Sequence, residues 1–167
     1  KVNLYLWIDW KKKMDNFITS ADQWDSDKHS NFTADEFKCQ GSGDLKISTI
    51  VLDFVQAYRD EVGEGVSITS GYRSPELNAK IGGSSKSQHC KGQAVDLECV
   101  HESNADVAMW IENNLDFDQL ILEFYTPGDP RSGWIHVSYN EDGKNRKSVL
   151  TASRINGKTV YTKGLNV

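Results

Sequence analysis

The sequence predicts a single α+β domain in which an antiparallel sheet carries its helices on one side. Three observations lead there. At 167 residues, 38% hydrophobic and 26% charged, the chain suits one core of ordinary size. Helical segments come mostly first and antiparallel hairpins last, an order unlike alternating βαβ units. No internal repeat or low-complexity linker divides the chain.

The elements follow in order. Lys1–Trp10 is apolar but interrupted by Asn3 and Asp9, and Lys11, Lys12 and Lys13 follow it. That order is wrong for a signal peptide, and no small-residue cleavage site is seen. Thr33-Ala-Asp-Glu36 reads as a capping box opening a short helix at Glu36-Phe37. Ser48 can cap a longer helix, with Ile50, Val51, Phe54, Val55, Tyr58 and Val62 at helical spacing and Gly63 and Gly65 at its end. Val66–Ser70 alternates as a strand does. Ser74-Pro75 opens a short helix with Pro in its first turn, and Gly82-Gly83 stops it. From Gly92 to Cys99 a loop becomes a strand, with Val95 and Leu97 facing one way and Ala94, Asp96 and Glu98 the other. Asp106–Leu115 is helical. Gln119–Tyr125 and Trp134–Tyr139 read as strands joined by Thr126–Gly133, and Ser148–Ile155 and Lys158–Thr162 as strands flanking the hairpin signal Asn156-Gly157.

Composition narrows the partners. With 19 Lys+Arg against 24 Asp+Glu the formal charge is −5, a poor basis for general phosphate binding, so nucleic acid is not expected. No apolar run approaches the ~20 residues of a membrane-spanning helix, so no membrane partner is expected either. Cys39, Cys90 and Cys99 are odd in number and form no C-x-x-C. They read as reduced thiols, with one disulfide as the alternative. Any metal site must draw on four His and three Cys plus carboxylates.

The densest chemistry lies in Ser70-Gly-Tyr-Arg-Ser74 and in Ser87-x-His89-x-x-Gly92-x-Ala94-x-Asp96. His89 and Asp96 can converge across the turn at Gly92, and imidazole nitrogen and carboxylate oxygen both bind zinc at roughly 2.0–2.2 Å. His136, mid-strand with Ile135 and Val137 facing the core, is the best third ligand. Two His and one Asp leave a coordination position open, as catalytic sites do. Centring the following turn between Asp129 and Pro130 places Glu123 opposite His136, on the same face, where a general base belongs. Asp129 and Glu98 are the competing bases. Arg73 offers a planar fork of donors to a substrate carbonyl or carboxylate, or serves as a structural ion-pair partner. Tyr72 and Trp134 belong to the core or to a substrate groove. His29 and His101, in polar stretches, read as solvated.

At these residues the sequence resembles the zinc D-alanyl-D-alanine metallopeptidases, whose fold is shared with the hedgehog signalling domain. Ser-x-His-x-x-Gly-x-Ala-x-Asp is intact at Ser87–Asp96, and Ser70–Ser74 resembles the family's upstream arginine motif. Asn31-Phe-Thr-x-x-Glu-Phe37 with Cys39, and Trp134-Ile-His-Val-Ser138, resemble the branch common in phages and prophages. The resemblance implies one zinc per chain held by His89, Asp96 and His136, with Glu123 as base and Arg73 on substrate or oxyanion. It implies Ser87 as a brace by hydrogen bonding. Ser87, Tyr72 and Trp134 are expected beside Arg73 in substrate binding. Where some family members carry a second His, two residues before the third ligand, this chain has Trp134.

The expected activity is hydrolysis of a peptide bond in peptidoglycan by a monomeric phage lysis enzyme. It would be made in the host cytoplasm without a signal peptide and act on the cell wall. The alternatives are a D-Ala-D-Ala carboxypeptidase, a tail-associated wall-remodelling enzyme, and a catalytically silent zinc-containing module. The expected organisation is an N-terminal extension over residues 1–30, a peptidase core over 31–140, and a C-terminal hairpin over 141–167 within the same domain.

Overall fold

The computed structural model describes residues 16–167; the apolar start and the lysine run lie outside them. The first described strand, β1 (Phe17–Ile18), pairs with β2 (Ile47–Ser48), and Ile18 joins the core. Part of the expected N-terminal extension is therefore packed on the domain. Glu36 reaches back to the Thr33 backbone N–H at 2.7 Å, as the capping-box spacing predicts, and opens a 3-10 turn over Ala34–Phe37. The Ser48 hydroxyl accepts from Ile50 N and Val51 N at 3.2 and 3.5 Å and starts α1 (Thr49–Val62), which Gly63 ends. Then come β3 (Val66–Ser70), α2 (Pro75–Lys80), β4 (Ala94–Cys99), α3 (Asn104–Asn114), β5 (Gln119–Glu123), β6 (Trp134–Ser138), β7 (Ser148–Ile155) and β8 (Lys158–Lys163).

Six strands form one sheet in the order β3-β4-β6-β5-β7-β8. Val95 and Leu97 of β4, Leu120 and Leu122 of β5, and Ile135 and Val137 of β6 share a core with Val51, Phe54, Val55 and Tyr58 of α1 and Val107, Ala108 and Ile111 of α3. Edge-on aromatic pairs tie α1 to α3, Tyr58 on Trp110 at 5.3 Å, and α1 to the end of β6, Phe54 on Tyr139 at 5.4 Å. The opposite face of the same strands is left for polar residues.

The sheet departs from the expected all-antiparallel pattern at one place: β7 runs parallel to β5. The reason is spatial. Both edges of β6 are occupied, by β4 and β5, so the chain leaving β6 crosses the start of β5 and pairs beyond it. Running opposite to β6, it must run parallel to β5.

The β5–β6 register also differs from the symmetric one. Ile121 lies opposite His136, and Glu123 opposite Trp134. The turn closes over Thr126–Asp129, with Asp129 N on Thr126 O at 2.9 Å, around Pro127-Gly128 rather than Asp129-Pro130. The slip is two residues, so Glu123 keeps the face of His136.

His29, expected in solvent, is 2% exposed. Its Nε2 meets Asp53 of α1 at 2.9 Å, and the Trp24 ring lies 5.6 Å away. A partner 24 residues on in sequence turns a polar stretch into a buried contact. His101 is exposed. All three cysteines are free thiols, and among the described residues no helix is long and apolar enough to cross a membrane.

Candidate metal centre

Two close approaches of backbone build the site. A side chain at Gly71 would put its Cβ 2.5 Å from the Phe37 carbonyl oxygen. Only glycine lets the segment after β3 lie against Phe37, where Tyr72 N donates to Phe37 O at 2.9 Å. This seating presents Gly71 O to His89 Nδ1 at 2.8 Å. Gly92, at φ +70°, ends the 3-10 turn Gln88–Lys91 in the left-handed region and passes 2.5 Å (as a Cβ would) from Lys46 O. That turn delivers His89 beside β4.

The other two residues are cross-strand neighbours: Asp96 of β4 is paired directly with His136 of β6. His89 Nε2 lies 3.1 Å from Asp96 Oδ1 and 3.1 Å from His136 Nδ1, and His136 Nδ1 lies 2.9 Å from Asp96 Oδ1. The three residues are buried, at 3%, 8% and 9% exposure. They are the group of His, Cys, Asp and Glu residues able to hold a metal ion among the described residues.

The donor set fits zinc. Gly71 O only accepts, so the neutral His89 ring carries its proton on Nδ1 and turns a bare Nε2 lone pair into the cluster. That lone pair faces a carboxylate oxygen and a second imidazole nitrogen, an arrangement that calls for a cation. Ligands at 2.0–2.2 Å around a tetrahedral ion are roughly 3.3–3.6 Å apart, within a few tenths of an ångström of the observed separations. A backbone carbonyl on the far ring nitrogen is the usual orienting partner of a metal-ligating histidine.

Burial pushes the Asp96 carboxyl up, but the two imidazoles and their hydrogen bonds outweigh it and hold it well below the usual carboxylate range. Arg73 Nη2 adds bonds to Asp96 Oδ2 at 3.2 Å and to Ser70 Oγ at 3.1 Å. Arg73 is thus the ion-pair partner of Asp96 while also lining the cleft.

That cleft, about 470 Å³, is bounded by Arg73, His89, Asp96, Glu123, Trp134 and His136, among others. Of the three carboxylates weighed as bases, only Glu123 lines it. Asp129 sits in the exposed turn, and Glu98 lies two residues along β4, opposite Ser67. Burial and the Asp96 charge push the Glu123 carboxyl above its ordinary value; His136, a hydrogen bond from the Trp134 side chain and Arg73 pull it partly back. A carboxyl in this place, lining the cleft on the face of the cluster, is suited to taking up and giving back a proton.

The remaining expectations divide. Trp134 lines the cleft, its ring 5.1 Å from Phe124. Ser87 also lines it, but its hydroxyl bonds none of the three clustered residues; the Gly71 carbonyl braces His89 instead. Tyr72 does not line the cleft. Adjacent residues of an extended segment point oppositely, and with Arg73 turned toward Asp96, Tyr72 faces the side of Asp44, Cys90 and Cys39. Phe124, Thr159 and Tyr161 form a wall the sequence reading missed; strand alternation on β8 was the available signal.

The family model for peptidase M15 matches residues 29–138, about two-thirds of the chain. The chain belongs to the peptidase M15 family. These are zinc D-alanyl-D-alanine peptidases, and the described α+β domain is consistent with their fold. The match spans the 3-10 turns Ala34–Phe37 and Gln88–Lys91, β2 to β6 and every residue of the His-Asp-His cluster, and stops before β7. No curated protein gives a significant match.

Proposed function

We propose that this peptidase M15 chain is a zinc metallopeptidase cutting a peptide bond in the stem peptide or cross-link of peptidoglycan, as a monomeric phage lysis enzyme acting on the cell wall. One observation carries the reading. A single cleft holds both a three-donor cluster with an open side and one further carboxylate, Glu123, raised above its ordinary pKa. His89, Asp96 and His136 hold the metal. When bound, zinc supplies a Lewis acid for the scissile carbonyl and a nucleophile at neutral pH.

The other steps fall to this chain's residues. Glu123 takes the proton of the attacking water and passes it to the leaving amine, so that peptide C–N cleavage yields a carboxylate and an amine. Trp134 stands directly opposite Glu123 across the β5–β6 pair. Arg73 fixes Asp96 through Nη2 and has its remaining N–H groups for a substrate oxygen. His89 is kept in one tautomer by Gly71 O.

The test is metal analysis joined to wall digestion. The zinc-loaded protein is expected to carry one zinc per chain, clear a suspension of purified cell walls, and release muropeptides whose masses identify the bond cut. Walls that stay intact, with zinc fully loaded, would overturn the proposal. An amine released inside the stem peptide points to endopeptidase action, and released D-alanine to carboxypeptidase action.

A further inference from the structure

Beyond residue 138, where the family match ends, the chain crosses the start of β5 and places Arg146 at the cleft. Arg146 Nε lies 3.0 and 3.1 Å from the two carboxylate oxygens of Asp118, and Nη2 lies 2.6 Å from Oδ2. The Arg146 backbone N–H also donates to Asp118 Oδ1 at 3.0 Å. Asp118 itself is pinned by its backbone N–H on Ser138 O and its carbonyl under Ser148 N. It is 1% exposed.

The pair is lopsided. The anion is buried, while the Arg146 side chain is 58% exposed and lines the cleft. An ion pair made only to join two segments gains nothing from showing one partner to a substrate cleft, and burying Asp118 is costly unless its partner is held well. The arrangement orients the guanidinium in advance. Nε and Nη2 are committed, and Nη1 makes no hydrogen bond with any described side chain. A ligand meeting this edge therefore meets a fixed cation whose side-chain ordering has already been met.

Position defines the ligand. Along β5 the cleft floor runs from Glu123 through Ile121, opposite His136, to Gln119, opposite Ser138. The step from Ile121 to Gln119 is two residues, roughly 7 Å, and Arg146 lies at the Gln119 end, two residues before Ser148, the parallel partner of Gln119. We propose that Arg146, braced by Asp118, is a carboxylate-binding residue of the cleft. It would select peptides that carry a free carboxylate about two extended residues from the bond cut. The peptide nature of the ligand rests on the reading under Proposed function.

The test measures binding and cleavage separately. A synthetic stem pentapeptide with free carboxylates and its fully amidated counterpart are titrated calorimetrically into the zinc-loaded protein, and their hydrolysis is followed in parallel. The free acid is expected to bind roughly tenfold or more tighter than the amide. Arg146→Gln combined with Asp118→Asn, which leaves no buried charge unpaired, is expected to abolish that preference. Arg146→Lys is expected to reduce the preference, since a point charge loses the fork. Equal affinity for acid and amide in the unaltered protein overturns the proposal, as does a preference that survives the double variant. If the double variant fails to fold, an acid preference in Arg146→Lys equal to the parent's decides against it. A protein that binds the acid selectively but cuts neither peptide refutes hydrolysis and leaves the anchor standing.

Discussion

On one face of β4, β6 and β5, Val95, Leu97, Leu120, Leu122, Ile135 and Val137 are no more than 4% exposed and pack beneath α1 and α3. On the other face, Asp96 and His136 stand side by side, with Glu123 a diagonal step away. The same alternation produces both, but the two faces respond to change differently. The apolar face is stabilised by area removed from water, spread over many weak contacts. The polar face concentrates a carboxylate and two ring nitrogens within 3.1 Å of one another, so each group depends on its partners and on a cation. Loss of one apolar group is a matter of degree; loss of one polar group removes a function.

The sharpest way to break this comparison is His136→Ala. It is expected to abolish stoichiometric zinc binding and hydrolysis while the far-UV circular dichroism is retained. Zinc is expected to raise the melting temperature of the parent, because it binds the folded state, and not that of the variant. Metal analysis and a thermal melt check both; a variant that keeps full zinc content would remove His136 from the ligand set.

Next in size is Glu123→Gln, on the same face but outside the cluster. Hydrolysis is expected to fall roughly 10²–10⁴-fold with zinc retained, read from steady-state rates beside metal content. Activity equal to the parent's would discard the base assignment.

The apolar face gives the contrasting result. Leu120→Ala, at a fully buried position, is expected to cost about 2–5 kcal/mol of stability by chemical denaturation. The remaining folded fraction should hold zinc normally. A melting temperature unmoved by this change would show that the core is not organised around β5.

The smallest expected effect is a pH dependence at the buried Asp118. Burial pushes its carboxyl up, but the hydrogen bonds and charge of Arg146 outweigh this and leave it below its ordinary value. A depressed folded pKa means that the unfolded chain binds the proton more readily. The pair's contribution is therefore complete above the ordinary carboxylate pKa of about 4 and is lost as pH falls toward the folded value. Asp118→Asn is expected to flatten the acid limb of the melting temperature against pH; an unchanged limb would place the acid sensitivity elsewhere.

Much of the scaffold was legible from local spacing. Ser48 and Ser74 cap the helices they precede, and the alternation in β4 put Asp96 away from Val95 and Leu97. Glu123 was assigned its correct face from a register two residues out, because parity survives an even slip. Contacts between distant segments were not legible. His29 read as solvated since nothing nearby in sequence announces Asp53. Arg73 read as a substrate ligand or an ion-pair partner, and naming Asp96 as that partner needed β3 and β4 paired. Arg146 lies 28 residues from Asp118 with no motif linking them.

By itself, the sequence determined which residues carry the chemistry and which side of each strand they occupy. Both follow from residue type and the period of the backbone, which act over a few positions along the chain. The tertiary structure decided that β4 lies beside β6, which brings Asp96 against His136, and that β7 crosses to the far side of β5, which brings Arg146 to the cleft. Sheet order depends on which edges are already occupied and on how the whole apolar face is covered, and no local stretch of residues encodes either.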